Sequence, residues 1–251
     1  MPPAAKPPPR CLFFAAALVS AMLARSSASG SEPVPGRSQT QVALLTTGAD
    51  KRSAVCVGDF FITLASREGG IDAAPGFFRT PLDSDALFDH PFALWSGEGH
   101  FELSDTESTR LRLYLARGGF ILAAPGCSNA AWQAALFRAI HRAFPEVDPA
   151  APAANATKVG PVWFELPADH PVFHTVFDIN GLSTRPAGPV SVSALQIDGR
   201  IAMIYCSAGL NDASSAPAAG TGQPGCCCCG TAEVTNAAAF NANVLSYAFT
   251  R

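Results

Sequence analysis

The run Cys226-Cys227-Cys228-Cys229, bracketed by Gly225 and Gly230, sets four thiols side by side. Cysteine sulfur ligates soft metals or joins another sulfur, so the run is a candidate metal or disulfide site. Neighbouring Cα atoms stand about 3.8 Å apart across a trans peptide, short of the about 4.4–6.8 Å that a disulfide spans. Adjacent pairs are therefore poor partners. Cys226 with Cys228 or Cys229, or any of the four with Cys127 or Cys206, is sterically easier. Tetrahedral zinc meets the same restriction, because consecutive side chains diverge; one ion takes two of the four and completes its shell elsewhere. The expected thiolate-rich set is thus Cys127, Cys206, Cys226, Cys227, Cys228 and Cys229, with zinc as the ion. The competing expectation is that the same sulfurs form disulfides that staple the long loop Asn211–Gly225.

Cys127 carries a second chemistry. It follows the apolar run Phe120–Ala124 and precedes a helical stretch. A helix N-terminus favours a thiolate, and Gly126 permits the tight turn of a nucleophile elbow. A nucleophile needs a base; the candidates are His100, His141, His170 and His174, of which His100 and His170 are preferred. His100 follows the strand Leu94–Gly97 and is expected on the same sheet edge as Cys127; His170 lies in a turn before Pro171. No Ser-His-Asp or Cys-His spacing singles out a triad, and the scattered glycines form no phosphate-cradling fingerprint.

The elements that must position these residues are clearest in mid-chain. Pro91–Gly97 is a continuous apolar run that stops at glycine, as a strand buried on both faces does. Ser104-Asp105-Thr106-Glu107 is a capping box, opening a helix with Leu111, Tyr114 and Leu115 on one face and Gly118-Gly119 at its end. Phe120–Ala124 is the next buried strand. Ser128 or Asn129 caps a helix Ala130–Phe144, whose apolar face is Trp132, Leu136, Ile140 and Phe144. Before this unit, Val42–Thr46 reads as a strand, Val55–Arg67 as a helix and Pro75–Asp89 as turn-rich. After it, Val162–Leu166 is a short strand. Ala194–Ile197 and Ile201–Cys206 flank the two-residue hairpin turn Asp198-Gly199. Ala237–Phe249 is a closing helix. Strands alternating with helices over short connections predict an α/β three-layer sandwich, a mostly parallel sheet with helices on both faces.

Lys6 and Arg10, the apolar stretch Leu12–Ala24 and the small residues Ser26–Gly30 read as a secretory signal over residues 1–30. Residues 31–40 read as a linker and 41–251 as one domain of sufficient length for a single core. Taking Lys6, Arg10 and Arg25 from the 17 basic residues leaves 14 against 20 acids, a net of −6. That balance argues against nucleic acid and anionic lipid, which are held by excess positive charge. No second long apolar run follows, so no integral span is expected after cleavage, and the setting is periplasmic or secreted. Outside the leader, Cys56, Cys127, Cys206 and the run make seven cysteines, an odd number in an oxidising compartment.

The segments Pro91–Gly97, Phe101–Glu107, Leu111–Leu115, Gly118–Leu122 and Phe144-Pro145, with the turn Asp169–Phe173 and the ending Asn241–Thr250, resemble the bacterial domain of unknown function 4159. The resemblance covers most of residues 41–251. It implies a fold of the class I glutamine amidotransferase-like or flavodoxin-like kind. The amidotransferases carry a nucleophilic cysteine between two glycines at a strand-to-helix elbow. Here Gly126-Cys127-Ser128-Asn129 keeps only the first, and no His-x-Glu pair accompanies it. The leading expectation is an exported, non-catalytic binding or accessory domain with a cysteine site at one sheet edge, its partner an unknown ligand or envelope protein. The alternatives are a Cys127-dependent hydrolase or amidotransferase relative, and a structural envelope domain whose disulfides staple a loop.

Overall fold

The computed structural model describes residues 39–48, 57–157, 159–185, 188, 190–211 and 233–250. All of them fall in the compact unit Ser38–Arg251. Residues 1–38 (which hold the expected leader and most of the expected linker), Cys56 and the run Cys226–Cys229 lie outside the described residues.

The core of the fold is a seven-stranded sheet. Its inner strands are β1 (Thr40–Thr46), β3 (Phe92–Gly97), β4 (Phe120–Pro125) and β8 (Arg200–Cys206). Each is apolar at nearly every position, so alternation sends side chains into two separate cores. Leu44, Leu94, Leu122 and Ile204 enter one core; Ala43, Ala93, Ile121 and Met203 enter the other. Helices α1 (Phe60–Gly69) and α4 (Ala237–Thr250) cover the first face through Phe61, Ile62, Phe240 and Val244. Helices α2 (Asp105–Ala116) and α3 (Ala130–Ala143) cover the second through Leu111, Leu115, Trp132 and Leu136.

The strand order is β2-β1-β3-β4-β8-β7-β5, where β2 is Ala73–Pro81, β5 is Pro161–Glu165 and β7 is Val192–Ile197. The first five strands run parallel. The last two pairings are antiparallel, so the sheet is mixed, which corrects the expectation of a mostly parallel one. The reason is local. Asp198 and Gly199 take φ of 49° and 83°, the left-handed pair of a two-residue hairpin, and fold β7 back on β8. A separate two-stranded ribbon pairs β6 (Thr184–Arg185) with β9 (Glu233–Val234).

Two other expectations are corrected. The first part of Pro75–Asp89 is not a turn but the edge strand β2, with Val42 opposite Phe77; only Asp85–Asp89 coils, as a 3-10 turn. Proline and glycine depress strand propensity, yet an edge strand tolerates them because one row of its amides needs no partner in the sheet. Helix α1 starts at Phe60, after Val57 and Gly58, and ends in a left-handed Gly70.

Candidate functional site

In an open sheet with parallel strands, ligands bind beyond the carboxyl ends of the strands. At that edge β3 ends in Gly97 and β4 ends in Pro125, level with one another. Gly126 follows, packed so closely that a Cβ there would lie 3.0 Å from Glu98 Cγ and 3.1 Å from the Gly97 carbonyl oxygen. A side chain at this position would force the two strand ends apart. Gly97 is equally constrained: its Cβ would stand 2.5 Å from the Trp132 indole nitrogen.

The chain then forms a single 3-10 turn, Gly126–Ser128, with Cys127 at φ 53° and Ser128 at φ 52°. Two consecutive non-glycine residues in the left-handed region cost on the order of 1–2 kcal/mol each. The surroundings hold them there. Ser128 Oγ accepts the Gly209 amide at 3.0 Å, tying the elbow to the chain beyond β8. Asn129 closes the turn through its amide to the Gly126 carbonyl at 3.1 Å. Its Oδ1 accepts from the amides of Trp132, at 2.9 Å, and Gly99, at 3.2 Å. One side chain therefore caps α3 and fixes the loop after β3. Of the two capping candidates read from the sequence, Asn129 caps the helix and Ser128 braces the elbow.

Cys127 is disulfide-bonded. The other described cysteine, Cys206, is buried. Glu98 Oε1 stands 3.1 Å from Cys127 Sγ. A disulfide sulfur has no proton to donate, so this is a close contact of a carboxylate with sulfur. Were the disulfide reduced, the same carboxylate would oppose a thiolate, the reverse of the cationic setting that activates a cysteine.

Cys206 ends β8, one residue beyond Tyr205, which pairs with Ala123 of β4, so both cysteines belong to the same edge. Their surroundings differ. Cys206 is fully buried in the apolar core beneath α1 and α4. His100 is exposed on the loop after β3 and forms an ion-pair contact with Glu102 at 3.7 Å. Its neighbour Gly99 is held by Asn129, which puts it on the elbow's side of the sheet. His170 is elsewhere. It caps the 3-10 turn Pro171–His174 by accepting the Val172 amide, and its ring packs on Tyr247. Tyr247 in turn packs on Phe120 at the start of β4, and six residues of strand separate that end from the elbow by roughly 17 Å. The structure brings His100, but not His170, to the edge that carries Cys127. Among the described residues no three His, Cys, Asp or Glu side chains are grouped to hold a metal ion.

Two contributors to this edge were not read from the sequence as site residues. Glu107 was expected as a cap, and it does complete the capping box: Ser104 Oγ accepts the Glu107 amide and Glu107 Oε2 accepts the Ser104 amide. It is also buried, and its Oε1 accepts the Gly48 amide at 2.9 Å, anchoring the chain just after β1. Trp95, Phe101 and Trp132 form a mutually packed aromatic cluster beneath the edge, with centroids 5.6–6.2 Å apart. The signal for Glu107 was the capping box; its second bond joins residues 59 apart and leaves no local trace in the sequence.

The model of the domain of unknown function 4159 matches residues 60–249, and the chain belongs to that family. No curated protein matches it.

Proposed function

We propose that this chain is an exported, non-catalytic binding or accessory domain that presents the carboxyl edge of its parallel strands, with the cysteine site there held as a disulfide. The observation that carries the reading is the committed sulfur of Cys127 on a strained, multiply braced elbow. Strain of this kind persists where the surroundings over-determine it, and such places are commonly functional. A disulfide-bonded sulfur cannot attack a substrate, and the adjacent Glu98 carboxylate disfavours a thiolate after reduction. The disulfide also agrees with the leader-like residues 1–30, because such bonds persist in oxidising compartments. An unknown ligand or an envelope protein is the expected partner.

One observation favours the second reading, a Cys127-dependent hydrolase or amidotransferase relative. A left-handed cysteine between a central parallel strand and a helix has the form of a nucleophile elbow. That form, with five parallel strands and helices on both faces, also supports assignment to the glutamine amidotransferase-like or flavodoxin-like superfamily. In this reading His100 is the better-placed base. The zinc reading draws no support from the two described cysteines. Cys127 is in a disulfide, and Cys206 is enclosed by apolar side chains. The third reading, a structural envelope domain, shares the disulfide and differs in requiring no ligand.

Peptide mapping of protein exported in its oxidised form separates the disulfide readings from the nucleophile and metal readings. The binding-domain reading expects the Cys127 peptide cross-linked to another cysteine peptide, no alkylation of Cys127 without reductant, and no zinc by elemental analysis. Rapid alkylation of Cys127 in native, unreduced protein, faster than that of any other cysteine, replaces it with the nucleophile. Stoichiometric zinc replaces it with the metal site.

A further inference from the structure

The loop after β3 sets one carboxylate against the elbow. Glu98 Oε1 stands 3.1 Å from Cys127 Sγ, and Glu98 Cγ lies 3.0 Å from where a Cβ on Gly126 would be. The backbone that carries Glu98 is pinned on both sides. Gly97 lies against the Trp132 indole, and the Gly99 amide donates to Asn129 Oδ1 at 3.2 Å. Among the described residues no cation pairs with this carboxylate; His100, the nearest basic residue along the chain, contacts Glu102 instead. Cys127 is half-buried and Glu98 is exposed, so a thiol arriving from solvent meets the carboxylate beside the sulfur. A thiol reductant opens a disulfide in two steps. A thiolate bonds to one sulfur, the S–S bond breaks, and its electron pair leaves on the other sulfur. A second thiolate then frees the attacked cysteine; the two small thiols end as one small disulfide, and the protein thiolates take protons from water. Glu98 opposes the first step by either route. At Cys127 Sγ it repels the incoming anion. When the partner sulfur is attacked instead, it raises the energy of the negative charge that leaves on Cys127 Sγ. Backbone strain does not reverse the balance. The elbow is held by Ser128 Oγ and Asn129 Oδ1, with no sulfur involved, so reduction leaves that strain in place.

We infer that Glu98 shields the Cys127 disulfide from thiol reductants, most strongly from anionic ones, and so keeps the bond a lasting part of the carboxyl edge rather than an exchanging one. The inference rests on the disulfide of the binding-domain reading and adds to it a selection among reductants. At about 6 Å in water, a unit charge changes a rate about threefold. A second charge carried by the reductant therefore alters its approach to the bond by about that factor, upward for a cation and downward for an anion.

The test is reduction of the folded, full exported chain without denaturant, by cysteamine, mercaptoethanol and mercaptoethanesulfonate. Loss of the Cys127 cross-link is followed by quenched alkylation and peptide mapping. Each rate is taken per thiolate and divided by the same thiol's rate with neutral hydroxyethyl disulfide, which removes intrinsic reactivity. Cationic cysteamine is expected to be fastest and anionic mercaptoethanesulfonate slowest, about tenfold apart at low salt and less at high salt. This series needs no variant. In Glu98→Gln, mercaptoethanol should open the bond about three- to tenfold faster, and the spread between the charged thiols should shrink to less than about threefold. Equal normalised rates in the unaltered protein, unchanged or slower reduction of Glu98→Gln, or an undiminished spread in that variant would each overturn the inference and leave the disulfide reading standing. A Cys127 peptide that is not cross-linked before any reductant is added would overturn both.

Discussion

Among the described residues the buried hydroxyl of Tyr205 has no hydrogen-bond partner, and neither has the indole nitrogen of Trp163 beside it. An unmet buried polar group detracts from stability, so its removal should be harmless. Tyr205→Phe is expected to leave the stability unchanged or raise it by up to about 1 kcal/mol, measured by urea unfolding. Ordinary tyrosine-to-phenylalanine changes that break a bond go the other way. At the elbow the relevant quantity is charge. A carboxylate 3.1 Å from sulfur raises the energy of a thiolate by about 1.3 kcal/mol even at the dielectric constant of water, or roughly tenfold in thiolate fraction. Part of that is returned because a more basic thiolate is the better nucleophile. After reduction, Glu98→Gln should therefore speed alkylation of Cys127 by about threefold, followed by quenched iodoacetamide labelling and mass mapping. An unchanged rate would mean that the Glu98 charge does not act on the sulfur, and a slower one that Glu98 acts on it as a base.

Elements meet the site through a few long-range bonds. Glu107 sits in the first turn of α2, yet it holds both its own capping partner and the chain after β1. Glu107→Ala strands two amides at once and should destabilise the domain by about 2–4 kcal/mol, with Glu107→Gln recovering part of that in the same denaturation assay. Much of the element pattern was legible in the sequence. The apolar runs of β3 and β4, the capping box and the glycines that end α2 each have a local cause, and all appear where expected. Strand β2 was not legible, because Pro75, Gly76 and Pro81 read as turn residues until one knows that the strand lies at an edge. The elbow was legible as a turn that carries Cys127. Its left-handed Ser128 was not, since Oγ finds its partner at Gly209, 81 residues away. The burial of Cys206 follows from alternation with Ile204, but the sequence does not say which core that face joins. The distance of His170 from the elbow is likewise a matter of sheet direction, invisible in a local motif.

For the molecule as a whole, the core beneath α2 and α3 makes a definite prediction at high pH. Burial raises the phenols of both Tyr114 and Tyr205 above the ordinary value of 10.0, with the neighbouring Cys206 adding to the second. The folded state then keeps protons that the unfolded state gives up. With the folded pKa raised, the stabilisation is full below the unfolded value and is lost as pH climbs beyond it. Stability should fall steadily above about pH 10, and tyrosinate absorbance from these two residues should appear only with unfolding. Early ionisation of both in the folded protein would contradict the burial. The rims of the sheet carry one last consequence. Strand β2 contains Pro75 and ends in Pro81, while β5 begins with Pro161 and is bridged by Ala153, whose amide donates to the Trp163 carbonyl at 2.7 Å. Proline contributes no amide hydrogen, and a bridged strand has part of its outer row already occupied. A second copy approaching either rim finds no long uninterrupted ladder to extend, which protects a protein with so apolar a sheet from fibrillar stacking at high concentration.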